Sequence, residues 1–238
     1  MRLDKFFTHA GLLSRKECAS ACKNGRITVN GICVKDCSAH INEKTDSIAL
    51  DGQDVSYSEY VYIMLNKPSG YVSSTDEPGE HTVLELLSET DVKIGVFPCG
   101  RLDKDTTGLL IMTSDGPACH RALAPKSHIE KKYEFECADV LCSSDVEKMT
   151  RGITLADGYT TLPCEISLTG SKSGIITLRE GKYHQIKRML GAVGNKITRL
   201  KRISFGTIAL DGELSEGEWR YLTDSERESF TGHNTDKE

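Results

Sequence analysis

Near the start of the chain, Leu3, Phe6, Phe7 and Ala10 recur at i, i+3, i+4 and i+7, an apolar stripe that predicts a short helix which Gly11 can end. Ser14 followed by Glu17 reads as a capping box, so a second helix is predicted from there to Asn24-Gly25, with Ala19 and Cys22 inward and Arg15, Lys16 and Lys23 outward. Arg26-Ile27-Thr28-Val29 and Ile32-Cys33-Val34 flank Asn30-Gly31, the turn that favours positive φ at both positions, and predict a hairpin. Residues 53–59 are polar and aperiodic and mark a linker. A second module opens with the β-prone stretch 60–65 and the turn Asn66-Lys67-Pro68-Ser69-Gly70. Further β-prone runs lie at 94–97, 108–113, 132–138, 163–168, 174–179 and 196–209, with helical patterns at 117–124, 143–151 and 184–193. Strands and helices do not alternate regularly, which predicts an α+β fold with a mixed or antiparallel sheet rather than a doubly wound parallel one. The expected organisation is a module and linker at 1–55, a larger domain with a central cleft at 60–231, and a polar tail at 232–238 that frays.

Composition narrows the class. The 238 residues are 38% hydrophobic and 27% charged, which suits one or two folded domains and excludes collagen-like or disordered chains. No apolar run approaches the roughly 18 residues of a membrane helix, and charge at Arg2, Asp4 and Lys5 argues against a signal peptide, so a cytoplasmic protein without membrane contact is expected. Nine cysteines without a C-x-x-C pair fit free thiols. The spacings Cys18/Cys22 and Cys33/Cys37 formally allow zinc, but Cys18 and Cys22 read better as small core residues one helical turn apart, and no metal is expected. The net charge of −5 hides segregation: residues 1–50 carry eight Lys/Arg against five acids, 179–202 carry eight against one, and 211–238 carry three against nine. Two basic clusters beside an acidic tail predict a basic field open to nucleic-acid phosphates.

The segment Gly100-Arg101-Leu102-Asp103-Lys104-Asp105-Thr106-Thr107-Gly108-Leu109-Leu110 sets two carboxylates in a glycine-bounded loop before an apolar strand. Such a loop can aim a carboxylate into a cleft; it can equally be an Asp-rich turn whose side chains accept backbone N–H bonds. Asp105 is expected to cap Thr107 or Gly108. The glycine-rich phosphate loops and the H-x-x-x-H pair are missing, so nucleotide hydrolysis, dinucleotide chemistry and zinc hydrolysis lack their signatures. On a helix over 184–193, Ile186, Met189, Leu190 and Val193 form the apolar stripe, Lys187 falls at its edge about 100° from Ile186, and His184 and Arg188 project to the other side. An edge lysine can be half-buried against a carboxylate, while an outward Arg188 suits phosphate.

Two resemblances now carry the reading further. The residues Arg2-Leu3-Asp4-Lys5-Phe6, Ala10-Gly11-Leu12, Ser14-Arg15-Lys16-Glu17 and Gly25-Arg26-Ile27-Thr28-Val29-Asn30-Gly31 resemble the small RNA-binding domain shared with ribosomal small-subunit protein four, over about residues 1–48. So small a module should lean on the rest of the chain or on RNA. The resemblance implies RNA-backbone contacts by Arg2, Lys5, Arg15, Lys16 and Arg26. The eleven-residue loop resembles the signature of the pseudouridine synthases, and three further segments match that family in order: Leu65-Asn66-Lys67-Pro68-Ser69-Gly70-Tyr71, Lys131-Lys132-Tyr133, and Gly181-Lys182-Tyr183-His184-Gln185-Ile186-Lys187-Arg188-Met189-Leu190.

That resemblance implies an enzyme that isomerises uridine within RNA, most closely the branch acting on 16S ribosomal RNA. Enzymes acting on 23S RNA, a non-catalytic RNA-binding assembly factor and a carboxylate-dependent glycosidase are the alternatives. It implies Asp103 as the catalytic carboxylate, Tyr133 as the aromatic that stacks on the target base, and Lys187 as the base pairing with Asp103, at a position where the family commonly has Arg. Tyr133 also has a plain reading as a strand aromatic of the core. Arg101, His184 and Arg188 are expected to contact RNA, His184 by an outward contact or a motif-stabilising hydrogen bond. Nothing is consumed and nothing leaves, so no cofactor is required; the partner is ribosomal RNA with the target base flipped out, and a monomer is expected.

Overall fold

The computed structural model describes residues 1–55 and 58–232, and the predicted tail beyond Gly232 lies outside them. The chain divides into two compact units, Met1–Val61 with Leu87–Val96, and Tyr62–Leu86 with the chain from Phe97 onward.

The first unit holds helices α1 (Leu3–His9) and α2 (Arg15–Lys23), strands β1 (Ile27–Val29), β2 (Ile32–Cys33), β3 (Ile48–Leu50) and β4 (Gln53–Asp54), and helix α3 (Glu89–Ile94). The capping box forms as expected, with the Ser14 hydroxyl accepting from the Glu17 N–H at 3.3 Å and the Glu17 carboxylate accepting from the Ser14 N–H at 2.8 Å. Asn30 (φ 52°) and Gly31 (φ 77°) make the predicted turn of the β1–β2 hairpin. The four strands run in the order β2-β1-β3-β4. Three details differ from the sequence expectation. The inward face of α2 is Cys18, Ala21 and Cys22, at i, i+3 and i+4, and Ala19, about 100° round from Cys18, falls at its edge and is only half-buried. Gln53 and Asp54, at the start of the stretch read as linker, pair with β3 as a strand. Ile94, read as β-prone, ends α3, where the Ser88 hydroxyl accepts from the Asp91 N–H and Gly95 closes the helix at φ 88°; these caps override the β propensity of a short run. Leu3, Phe6, Phe7, Cys18, Cys22, Ile27 and Ile48 form the core, so the first cysteine pair fills space.

The second unit is built on strands β5 (Tyr62–Lys67), β6 (Phe97–Pro98), β7 (Thr107–Thr113), β8 (Lys131–Cys137), β9 (Glu165–Gly170), β10 (Ser173–Leu178), β11 (Ile197–Phe205), β12 (Ile208–Ala209) and β13 (Trp219–Tyr221). Helices α4 (Gly116–Leu123), α5 (Ser143–Thr150), α6 (Gln185–Ala192) and α7 (Asp224–Gly232) accompany them. The sheet is mixed, in the order β13-β5-β7-β11-β8-β10-β9, with β6 on β7 and β12 on β11. Every pairing is antiparallel except β7 with β11. Residues of β5 and β7 are buried throughout, and their apolar stretches 62–65 and 109–112 read as continuous runs for that reason, while Asn66 and Lys67, read as turn residues, extend β5 as buried polar groups. Ile186, Met189 and Leu190 of α6 pack with Phe135, Ile176, Leu178 and Leu200 from β8, β10 and β11. Strand β13 and helix α7 arise inside the stretch read as an acidic tail: Arg220 pairs with Asp211 at 2.7 Å and with Glu226 at 2.8 Å, and Phe230 is buried against Tyr62.

Candidate active site

The parallel junction of β7 and β11 assembles the site. Gly108 pairs with Arg202, and Arg202 on its other side pairs with Tyr133, so the exit of the loop 100–106 and the tyrosine of β8 lie on one cross-strand row. A Cβ at position 108 would stand 2.2 Å from the Arg202 carbonyl oxygen, and its φ is 98°, so both space and backbone require glycine there. Arg202 is buried and donates from Nε to the Leu109 carbonyl at 2.7 Å, tying β11 to β7.

The loop is held from the segment that follows β5. Lys67, fully buried, donates from Nζ to the carbonyls of Pro68 at 3.0 Å, Lys104 at 3.2 Å and Thr106 at 2.9 Å. The Gly70 N–H donates to the Lys104 carbonyl at 2.8 Å, and the Ser73 hydroxyl donates to the Leu102 carbonyl and accepts from the Leu102 N–H, each at 3.1 Å. Burial drives the Lys67 ammonium down to about 8, against the raising fields of Asp105 and Asp103.

Asp103, with a side chain 25% exposed, sits between two basic groups: Lys187 Nζ is 2.9 Å from Oδ2 and His184 Nε2 is 3.5 Å from Oδ1. Lys187 also donates to Asp105 Oδ1 at 2.5 Å. Burial opposes the Lys187 charge, but its hydrogen bonds to Asp105 and Asp103 outweigh that and raise its pKa; for Asp105 the opposing burial is outweighed by Lys187, and its carboxyl is lowered. Asp105 is therefore an ion-pair partner and not the expected cap of Thr107 or Gly108, because Lys187 reaches across to it. Asp103, Tyr133, Lys187, His184 and Arg101 line one cavity together with Thr106, Leu178 and Leu200. Tyr133 is half-buried against the core that contains α6, as its plain reading as a strand aromatic expects, and it also faces this cavity. Thr106, on the cavity wall, is 2% exposed, and its buried hydroxyl has no hydrogen-bond partner among the described residues.

Two side chains depart from the roles expected of them on the helix over 184–193. His184 is the N-cap of α6 in left-handed backbone (φ 49°), which turns it toward Asp103 instead of away. Arg188 is 2.5 Å from Asp157 Oδ2 and donates to the Tyr183 carbonyl at 3.3 Å, so it is engaged within the chain. The turn before α6 is set by Gln185, which accepts from the Lys182 N–H at 2.9 Å and donates to Glu180 at 2.6 Å, while Tyr159 donates to the same Glu180 carboxylate.

The basic field of 179–202 is largely consumed inside the unit. Arg179 pairs with Glu130, Arg199 with Glu136, and Arg202 is buried, while Lys182, 4.7 Å from the Tyr159 ring centre, stays exposed. In the first unit Arg2 forks onto Asp4 at 2.8 and 3.0 Å and Arg26 onto Asp51 at 2.5 and 2.8 Å, leaving Lys5, Arg15 and Lys16 exposed without an ion pair among the described residues. Among the described residues no group of three or more His, Cys, Asp or Glu is placed to hold a metal, and no helix is long and apolar enough to cross a membrane.

Comparison with known proteins fits this site. Residues 61–192 match the RNA pseudouridylate synthase family and residues 1–45 the S4 domain. The chain belongs to the RNA pseudouridine synthase family. It is 40% identical over 230 residues to an uncharacterized RNA pseudouridine synthase, YtzG, of Bacillus subtilis, covering 95% of this chain and 96% of that one. It is 40% identical over 227 residues to ribosomal small subunit pseudouridine synthase A of Vibrio cholerae, covering 95% and 97%. A crystal structure of a pseudouridylate synthase superposes with a TM-score of 0.69 at 36% identity, covering 97% of this chain and 99% of that one. The enzyme is thus a pseudouridine synthase with an S4 domain. Lys67, Ser73, Glu180 and Gln185, which shape its site, carry no reactive signature; Lys67 and Gln185 stand inside family motifs, but only the fold reveals which groups they hold.

Proposed function

We propose that this pseudouridine synthase isomerises a specific uridine of ribosomal RNA, in the 16S molecule, with Asp103 as the reacting carboxylate. The observation that carries the reading is a partly exposed Asp103 held between Lys187 and His184 on the wall of a cavity that Tyr133 also lines. The 16S assignment rests on relatives named as ribosomal small subunit pseudouridine synthases. Isomerisation breaks the bond from ribose C1′ to uracil N1, forms one from C1′ to C5, moves a proton off C5 and leaves a proton on N1. Asp103 supplies the carboxylate for the glycosidic step, as nucleophile or as counter-charge at C1′. Lys187 balances its charge, the Tyr133 ring supports the flipped base, and the unpartnered Thr106 hydroxyl meets a polar edge of the nucleoside. The exposed Lys5, Arg15 and Lys16 grip RNA backbone, and Arg101 does so at the cavity.

Tritium release from C5-labelled uridine in 16S and 23S transcripts tests the reading, because the isomerisation must expel that hydrogen. The wild type is expected to release tritium from 16S RNA, and Asp103→Asn to lose roughly four or more orders of magnitude while keeping its fold and RNA affinity. Release from 23S RNA alone would replace the substrate, and RNA binding without release from either would favour an assembly factor without turnover.

A further inference from the structure

We propose that the outer face of the Tyr183 ring is a subsite for the base adjacent to the target uridine, an inference that rests on reading the cavity as a uridine site. Tyr183 is 76% exposed, too much for a packing role. Its ring is nevertheless ordered by a neighbour, lying on the His184 imidazole with centroids 3.8 Å apart and planes 19° from parallel. His184 in turn stands 3.5 Å from Asp103. A non-glycine residue at positive φ is uncommon and carries a conformational cost, and here the left-handed His184 makes a two-ring stack with one end at the reacting carboxylate.

The backbone beneath this stack is fastened: Arg188 donates to the Tyr183 carbonyl at 3.3 Å, and Gln185 accepts from the Lys182 N–H at 2.9 Å. An exposed aromatic on a fixed turn presents a stacking surface without paying to order itself on binding. Stacking accepts any base and favours those with larger π-faces, so the subsite prefers a purine beside the uridine. The exposed Arg101 and Lys182, which border the same cavity, supply positive charge for the phosphates on either side of the flipped nucleotide.

The test uses the full-length protein and two heptauridylates, each with 2-aminopurine on one side of the central uridine. Stacking on Tyr183 is expected to quench 2-aminopurine at one of the two positions in the wild type and in Tyr183→Phe, but not in Tyr183→Ala. In tritium release from 16S RNA, Tyr183→Ala should raise KM about tenfold, with the loss falling on KM more than on kcat, and Tyr183→Phe should restore it. If Tyr183 only buttresses His184, the Ala variant will lose kcat while KM and the quenching stay at wild-type values, and the proposal fails. Absence of quenching in the wild type overturns it as well. Wild-type turnover separates the two readings: no tritium release from either 16S or 23S RNA sinks the uridine assignment, whereas release with an unmoved KM in Tyr183→Ala sinks the subsite alone.

Discussion

Lys67, at the end of β5, and Lys187, on α6, both reach the loop 100–106, and they meet different chemistry there. Lys67 is fully buried and, among the described residues, finds only the carbonyls of Pro68, Lys104 and Thr106. Lys187 keeps 23% of its side chain exposed and finds the carboxylates of Asp103 and Asp105. Neutral dipoles satisfy the donors of Lys67 without repaying its desolvation, so its pKa falls to about 8, while the carboxylates more than repay that of Lys187 and raise its pKa. One ammonium fixes the shape of the backbone and the other fixes the charge at Asp103, the carboxylate proposed to react, which makes the two separable by mutation.

The largest effect is expected at Lys187. Lys187→Met keeps the stem that packs beside Ile186 and deletes the charge between two carboxylates, so kcat should fall by about 10² to 10³ with little change in thermal stability. Lys187→Arg should recover part of the rate, since its fork can still reach both acids. Near-wild-type tritium release from the Met variant at saturating RNA would show that the ion pair only holds the fold.

Lys67→Met should show its loss in stability, by about 2–4 kcal/mol, because three buried carbonyls lose their donor. The pH dependence sharpens the contrast. Folding lowers the Lys67 pKa from 10.5 to about 8, so between these values the unfolded chain binds more protons and the stability of the wild type rises with pH through this group, by up to about 3 kcal/mol. The Lys187 contribution has the opposite sign: it is fully present below 10.5 and is lost as pH climbs through its raised folded value. Urea unfolding of the wild type and Lys67→Met at several pH values between 7 and 10.5 measures the first effect, and parallel profiles would refute it.

Thr106 divides shape from chemistry on a smaller scale. Its buried hydroxyl has no hydrogen-bond partner among the described residues, so Thr106→Val should leave stability unchanged or raise it by about 1 kcal/mol. Turnover should fall about tenfold if the hydroxyl meets the nucleoside, the scale of one hydrogen bond at 1.4 kcal/mol per decade. A Val variant with wild-type kcat and KM would leave that hydroxyl without a role in the site.

Helices α1 and α2 and the β1–β2 hairpin of the first unit were legible in the sequence because their signals are local: the capping box at Ser14 and Glu17 and the turn at Asn30-Gly31 fix dihedrals within four residues. The long strands β5, β7, β8 and β11 were legible as β-prone runs. Their order was not, since the parallel pairing of β7 with β11 joins residues about 94 positions apart, as in Gly108 with Arg202. At the site, Asp103 and Lys187 came from motif resemblance and edge phase, and they do meet. His184 escaped the phase because it precedes the first helical residue, where a positive φ and not the helix sets its direction. Charge misled most. Counting bases along 179–202 measures supply, whereas Glu130, Glu136, Asp157 and the two loop aspartates that consume it come from elsewhere in the chain.

The same point separates cations within the first unit. Arg26 commits its fork to Asp51, and Arg2 commits its own to Asp4, whereas Lys5, Arg15 and Lys16 stand exposed with no ion pair among the described residues. A cation already neutralised by a carboxylate releases no counterion from RNA unless that pair first breaks, so it adds little to the salt dependence of binding. The triple variant Lys5→Gln, Arg15→Gln, Lys16→Gln should therefore flatten the plot of log affinity against log salt by roughly 2 units, at about 0.7 to 0.9 per contact. Arg26→Gln should leave that slope nearly unchanged and leave stability close to that of the wild type, as expected for an exposed pair. Filter binding of a 16S transcript between low and physiological salt distinguishes the two variants. If Arg26→Gln lowers the slope by a full contact while the triple variant does not, the arginine fork turns to RNA on binding, and the paired cations rather than the free ones form the electrostatic footprint.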